Sequence, residues 1–312
     1  MRDKVFLIIR AIVSLTLIAY LLTKVDFRQI VHIMSSVNLY LLFFSMVLYF
    51  IIFFLVVLRW GFLLHIYFPK QKYITLLQYH WIGQFFSLFL PSMFGGDLFK
   101  IYIITKKHGH ALKATMVSLY DRFIGLCSLV ILATVAMLLN NLFFKLTIPI
   151  YFSYLVKIFW VLFAFLIILT VTVEKKFTFK KILKYNLKLD KFLQKIEKNS
   201  ATIMSHKQNF GKALAMSLVV SYGVATASIL LAAAIKINVP VIYFYIIYSI
   251  ISLIMTIPVS INGLGLQDGA YVFFLGQVGV SVTEALSLSL ITHIIRYFIC
   301  SLGGVIFLLN RE

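Results

Sequence analysis

The strongest constraint on this chain is a series of apolar stretches, each long enough to form a membrane-spanning helix. A helix needs about 20 mostly apolar residues to cross the hydrocarbon core of a bilayer. Six stretches satisfy this without interruption: residues 5–23, 39–58, 112–139, 150–173, 212–235 and 284–309. The first is longer than the apolar region of a signal peptide and precedes no small-residue cleavage site, so we expect it to be retained. These stretches predict an all-α polytopic membrane protein with about six full transmembrane helices, forming a single membrane domain over residues 1–312.

Two further apolar regions are interrupted by proline and glycine. Residues 73–105 are broken between Pro91 and Asp97, and residues 240–279 are broken between Pro258 and Asp268. A break of this kind frees backbone N–H and C=O groups, which cannot face lipid without a large loss of free energy. We therefore interpret each region as a re-entrant helical hairpin that is buried in protein or lines a wet cavity.

The distribution of basic residues supports this topology. Lys and Arg total 29 against 10 Asp and Glu, although only 12% of the chain is charged and 62% is hydrophobic. That composition excludes an ordinary soluble domain. The predicted topology places 20 of the 29 basic residues on one side and four on the other. The excess marks the cytoplasmic side, so the sequence predicts a multi-pass protein of the plasma or inner membrane with cytoplasmic N- and C-termini. No nucleic-acid partner is expected.

The two broken regions occupy equivalent places in two halves of the chain. Residues 39–139 read as span, hairpin and span, and residues 212–309 repeat this order in the opposite direction across the membrane. Inverted repeats of this kind are typical of transporters whose binding sites lie at discontinuous helices near the bilayer midplane. The alternative is that two helix kinks arose independently in one polytopic protein.

Several ionisable residues lie inside the apolar regions, where a charge is costly and is usually paired or functional. One interpretation is structural ion pairing, of Asp97 or Asp121 with Arg122 and of Asp268 with Arg296. The other is a binding site for a lipid phosphate, because glycine-rich turns and helix N-termini bind anions through backbone N–H groups. Arginine adds a planar fork that matches phosphate.

The predicted head-group site combines residues from both breaks and from the spans that follow them. Its members are Gly95, Gly96, Asp97, Lys100, Arg122, Asn262, Gly263, Gly265, Asp268 and Arg296, with Asp121 and His293 as candidates for support or proton coupling. No catalytic, metal or cofactor motif is present. Cys127 and Cys300 lie in apolar runs and are expected to be buried packing residues.

A basic segment, residues 174–211, separates the two halves. Its apolar residues alternate with lysines in a pattern typical of an amphipathic helix on an anionic membrane surface. The apolar positions are Phe179, Ile182, Leu183, Phe192, Leu193 and Ile196. The alternative is a solvated connector whose lysines only set the orientation of the chain.

The two broken motifs resemble the signatures of the flippase-like integral membrane family, also called the lysylphosphatidylglycerol synthase transmembrane region. The first runs from Pro91 to Asp97 and is followed by Asp121-Arg122-Phe123, and the second runs from Pro258 to Asp268 with Arg296 downstream. The chain departs from the family pattern in three places. Lys100 stands where arginine is frequent, Asp121 where glutamate is frequent, and Gln267-Asp268 where an Arg-Glu pair is usual.

The resemblance implies a lipid translocase. The best-known members move aminoacylated phosphatidylglycerol across the bilayer and carry a soluble C-terminal domain that adds lysine from charged tRNA. This chain stops at Glu312, soon after its last span, so the resemblance implies the membrane part without the aminoacyltransferase domain. The expected partners are anionic or aminoacylated membrane lipids and a separate lipid-modifying enzyme.

Two other functions remain open from the sequence. One is a membrane component of lysylphosphatidylglycerol synthesis that acts with a separate catalytic subunit, and the other is a non-catalytic membrane partner protein that docks through its basic segment. An activity of its own in aminoacyl or glycosyl transfer is disfavoured, because the longest non-membrane stretch is under about 40 residues, which is too short for a catalytic core.

Overall fold

The computed structural model describes residues 2–89, 95–174, 187–257, 259–260 and 262–309, with side chains described from residue 12 onward except for 27 and 165–193. Every regular element in these ranges is helical. The α-helices are α1 (Arg2–Leu22), α2 (Phe27–Ser35), α3 (Leu39–Leu64), α4 (Tyr73–Phe89), α5 (Gly95–His108), α6 (Ala111–Leu139), α7 (Ile150–Glu174), α8 (Leu187–Ser205), α9 (Lys207–Ala234), α10 (Val241–Ile254), α11 (Leu266–Gly276) and α12 (Val282–Leu309). A π-helical turn, Asn140–Phe144, extends α6.

Four of these helices are long and apolar enough to cross a membrane: α3, α6 with its π-helical extension, α9 and α12. Shorter apolar helices cover Ile12–Leu22, Ile150–Ala164 and Val241–Ile254 among the residues with described side chains. Large apolar side chains such as Tyr40, Phe43 and Leu309 lie on the outer surface, as lipid-facing positions require. The predicted all-α, multi-pass membrane architecture is therefore confirmed, whereas six full spans and two re-entrant hairpins stay a prediction.

Each of the two interrupted apolar regions forms two separate helices. The first apolar region forms α4 and α5, and its connecting residues 90–94, which include Pro91, lie outside the described ranges. The second forms α10 and α11. Between them Asn262, Gly263 and Gly265 have φ angles of 50°, 84° and 78°. Glycine adopts this left-handed region without steric strain and asparagine tolerates it, so the glycines at this turn are explained by its backbone conformation.

The helices pack in a pattern that relates the two halves of the chain. The most extensive contact joins α3 and α9, which are the first helices of the two predicted halves. The first broken helix pair packs on the other half through α4 and α12, and the second packs on the first half through α10 and α6. Each broken helix pair is thus held against the last helix of the opposite half.

Glycines permit the close approach of α4 to its neighbours. A Cβ atom on Gly83 would lie 2.8 Å from the backbone oxygen of Gly96 in α5. On the other side, a Cβ on Gly303 of α12 would overlap the backbone oxygen of Trp81, and one on Gly304 would lie 2.7 Å from the Phe85 ring. Small residues at helix contacts are a usual means of tight packing in membranes. Helix α4 is therefore fixed between α5 and α12.

The basic segment contributes one described helix, α8, whose C-terminal half docks on the bundle. Tyr67 Oη donates a hydrogen bond of 2.7 Å to the backbone oxygen of Asn199, and the hydroxyls of Tyr120 and Ser200 are hydrogen-bonded. Ile203 is completely buried, and Ile196 packs against the core. At this end the apolar face meets protein and not lipid, because the bundle offers apolar partners. The side chains of the other five apolar residues in the predicted pattern lie outside the described set.

Candidate functional site

The first charged cluster joins the start of α5 to α6. Asp97 lies in the first turn of α5, and its Oδ1 is 2.7 Å from the Nζ of Lys100 one turn later. Its Oδ2 pairs with Arg122 of α6, so the predicted Asp97–Arg122 ion pair is present. Lys100 is 2% exposed, and its Nζ also lies 4.9 Å from the centre of the Trp60 ring. The side chain of Arg122 is 36% exposed, which makes it the accessible edge of the cluster.

Gly95 and Gly96 precede this cluster and are buried. The contact of Gly96 with Gly83 explains why a side chain is excluded there. The anion-binding role predicted for the two glycines from their position at a helix start stays a prediction.

A second ion pair, Arg59 with Asp121, was missed by the sequence reasoning. Arg59 donates from Nε to Asp121 Oδ1 at 2.7 Å and from Nη2 to Oδ2 at 2.9 Å, and its Nη1 donates to Ser217 Oγ at 3.1 Å. The predicted span ended at residue 58, which placed Arg59 in a cytoplasmic loop. Helix α3 instead continues to Leu64. The apolar residues that follow Arg59 in the sequence could have indicated this longer helix. The carboxylate of Asp121 is therefore held by Arg59, whereas the sequence offered Arg122 as the partner of either Asp97 or Asp121.

The third charged group lies at the second helix break. Asp268 Oδ1 accepts hydrogen bonds from Ser289 Oγ at 2.6 Å and from His293 Nε2 at 3.1 Å. Its Oδ2 accepts a bond of 2.9 Å from the backbone N–H of Gly265. The side chain of Asp268 therefore fixes the turn that precedes α11 and already occupies a backbone donor at this helix start. In the described part of the chain its partner on α12 at this position is His293, through a hydrogen bond, and not Arg296 as the sequence suggested.

Within the described residues, the hydrogen bonds of Arg296 go to two neutral acceptors. Its Nη2 donates to the backbone oxygen of Asn262 at 3.0 Å and to His293 Nδ1 at 2.8 Å. Because a guanidinium can only donate, Nδ1 of His293 accepts and Nε2 carries the proton that faces Asp268. His293 is thus a neutral imidazole between a carboxylate and a guanidinium. The Nε atom of Arg296 is buried and has no hydrogen-bond partner among the described residues.

A cavity of about 390 Å³ lies between the two halves of the chain and receives Arg296. Helices α3 and α4 of the first half and α9 to α12 of the second contribute its walls. Of the predicted binding residues, Arg296 alone is among the residues lining it; Asn262, Gly263 and Asp268 stand behind Arg296 at the turn. The predicted site is thus divided between two places in the structure. One is the ion-paired group of Asp97, Lys100 and Arg122, called the Asp97 cluster, and the other is the cavity lined by Arg296.

His80 of α4 also lines the cavity and was not identified from the sequence. It is 4% exposed, and its Nδ1 is buried without a partner in the part of the chain that the structure describes. Its ring packs edge-on against the Phe53 ring of α3, with 4.8 Å between the ring centroids. A single histidine in an apolar helix carries no pattern that distinguishes it from a packing residue.

Comparison with known families agrees with this architecture. The family model described as "Lysylphosphatidylglycerol synthase TM region" matches residues 7–304, nearly the whole chain. Searches of curated proteins and of solved structures give no significant match. The chain belongs to the lysylphosphatidylglycerol synthase transmembrane family, as its two broken motifs predicted.

Proposed function

We propose that this member of the lysylphosphatidylglycerol synthase transmembrane family is a lipid translocase. It moves an anionic or aminoacylated phospholipid, or a polyprenyl-phosphate-type lipid, between the leaflets of the cell membrane. The observation that carries the proposal is the cavity between the two halves, which is lined by the partly buried Arg296, a residue whose Nε has no hydrogen-bond partner among the described residues.

The electrostatics of Arg296 favour an anionic ligand. A charged side chain inside a membrane protein is costly unless it is paired, and Arg296 has no carboxylate partner among the described residues. A phosphate supplies the missing negative charge and accepts several guanidinium N–H groups in one plane. Asp268 and His293 keep Arg296 in place, and the Asp97 cluster fixes the start of α5 beside α6.

The packing of the helices supports a transport mechanism. If α3 to α6 and α9 to α12 form an inverted repeat, the contact of α4 with α12 is equivalent to that of α10 with α6, and both are present. The two broken helix pairs then enter the membrane from opposite faces. In transporters of this type one repeat moves against the other around a fixed site, and the cavity lies at that boundary.

Leaflet exchange in proteoliposomes tests the proposal. The purified chain is reconstituted with fluorescently labelled anionic, aminoacylated and polyprenyl-phosphate lipids, and exchange is followed by quenching of the outer leaflet. We expect Arg296→Gln to slow exchange by about tenfold or more, because each lost charge-assisted hydrogen bond is worth about 1.5–3 kcal/mol. Lys157→Gln, an exposed basic residue in the apolar helix α7, is the matched control and should behave as the unmodified protein. Exchange at the protein-free rate for every lipid would overturn the proposal.

The family description favours one second candidate, a membrane component of lysylphosphatidylglycerol synthesis that acts with a separate catalytic subunit. Deletion of the gene separates the two functions. A translocase leaves the amount of the lipid unchanged and alters its distribution between leaflets. A synthesis component lowers the amount itself, which lipid mass spectrometry measures.

A further inference from the structure

We infer that the cavity accepts a phosphate-bearing head group with uncharged hydroxyl groups, and that it discriminates against an aminoacylated head group. This inference rests on the proposed function and specifies the class of its substrate. It comes from the charges and the hydrogen-bonding groups that line the cavity.

The cavity provides positive charge and no negative charge. The positive charge is the guanidinium of Arg296, and none of the described lining residues is Asp or Glu. A lysylated head group carries two ammonium groups, and an ammonium taken from water without a carboxylate partner loses its hydration uncompensated. Asp268, the acid behind Arg296, already uses both of its oxygens for Gly265, Ser289 and His293.

Two residues that line the cavity each carry a buried nitrogen atom without a hydrogen-bond partner within the described ranges. Arg296 Nε and His80 Nδ1 come from different halves of the chain, and both are buried without a partner in the described structure. Buried polar atoms are nearly always hydrogen-bonded in folded proteins. A phosphate bound in the cavity would supply oxygen acceptors for Arg296 and, in the tautomer with a proton on Nδ1, for His80.

The remaining polar lining suits hydroxyl groups. Two amides, Gln84 and Gln267, line the cavity, together with six hydroxyl side chains: Tyr49, Ser228, Tyr248, Ser252, Tyr271 and Thr292. Hydroxyls and amides both donate and accept, so they match the hydroxyls of a polyol or a sugar. The volume of about 390 Å³ falls within the roughly 300–1,000 Å³ of small-molecule sites, which is enough for a head group whose acyl or prenyl chains remain in lipid. Phosphatidylglycerol and a polyprenyl-phosphate sugar share this chemistry.

A head-group panel with the unmodified protein in proteoliposomes tests the inference. The probes are labelled phosphatidylglycerol, lysyl-phosphatidylglycerol, a short-chain polyprenyl-phosphate sugar and phosphatidylcholine, which has a phosphate and an ammonium but no hydroxyl. We expect phosphatidylglycerol or the polyprenyl-phosphate sugar to exchange at least about tenfold faster than the two ammonium lipids, and the faster of these two probes identifies the source. Equal or faster exchange of lysyl-phosphatidylglycerol would overturn this inference and leave the translocase proposal intact. Failure of all four probes to exceed the protein-free rate would overturn the translocase proposal.

A charge introduced into the cavity gives an independent readout. Gln267→Glu preserves the shape of a buried lining residue and adds a carboxylate. We expect it to raise the rate of lysyl-phosphatidylglycerol exchange relative to phosphatidylglycerol by about tenfold, since the carboxylate pairs with ammonium and competes for Arg296. Gln29→Glu, the same change at an exposed position of α2, should leave the ratio unchanged. An unchanged ratio in a correctly folded Gln267→Glu protein would contradict the inference.

Discussion

Replacement of Arg59 by methionine isolates the contribution of the buried ion pair between α3 and α6. The side chains of Arg59 and Asp121 are 12% and 5% exposed, so solvent screens this pair little. Arg59→Met removes two hydrogen bonds to Asp121 and one to Ser217. It also leaves the Asp121 carboxylate buried without its cation. Breaking a buried pair in this way costs about 3–5 kcal/mol of unfolding free energy, most of it from the uncompensated charge.

The double substitution separates the pair interaction from the loss of one partner. Asp121→Leu alone should destabilise by a similar amount, because it strands the guanidinium of Arg59. Arg59→Met with Asp121→Leu removes both charges and fills the space with apolar atoms, a change that is often neutral or stabilising. We therefore expect the double variant to be more stable than either single variant, with a coupling energy of about 3 kcal/mol or more.

Reversible unfolding in mixed detergent micelles, followed by tryptophan fluorescence, measures these free energies, with Lys157→Met as the control for loss of an exposed basic residue. A loss below about 1 kcal/mol for Arg59→Met, or additive single and double variants, would refute the reasoning from burial. Lipid exchange supplies a second readout. The pair does not line the cavity, so the double variant should retain exchange.

Two further predictions follow from local geometry. Gly303→Ala places a Cβ against the backbone oxygen of Trp81 and should destabilise by about 1–3 kcal/mol through overpacking, whereas Gly211→Ala, with open space around it, should be neutral or slightly stabilising in the same unfolding assay. ¹⁵N NMR of histidine-labelled protein should show His293 as the neutral tautomer with the proton on Nε2, and a proton on Nδ1 would contradict the observed bond from Arg296.

The helix breaks could be predicted from the sequence because their causes are local. Proline ends a helix, and a turn with Gly263 and Gly265 at positive φ admits few other residues. Membrane spans are equally local, since length and apolar composition define them. The exact ends of the helices depend less on local sequence and are harder to predict. Helix α3 runs six residues beyond the predicted span, and this error moved Arg59 from a helix to a loop.

The partners of the buried charges could not be predicted, because they depend on which helix faces which. His293 and Arg296 are one turn apart on α12, so both lie on the same face and either is placed to reach Asp268. In the structure, His293 is hydrogen-bonded to Asp268, whereas Arg296 donates to the backbone oxygen of Asn262. The cavity is even harder to predict from the sequence. His80 and Arg296 are separated by more than 200 residues, and only the packing of α4 against α12 brings them to one space.

The sequence assigned the charged residues of both halves to one site, but the two halves differ in how their buried charges are paired. In the first half each of the cations Arg59, Lys100 and Arg122 has a carboxylate within ion-pair distance. In the second half the carboxylate of Asp268 is used by neutral donors, and the guanidinium of Arg296 is bonded to neutral acceptors. A phosphate that approached the first region would compete with a carboxylate for every cation, whereas one that approached Arg296 would displace none. Substitutions at Arg59 and Asp121 should therefore act mainly on stability, and substitutions at Arg296 mainly on the lipid that is moved.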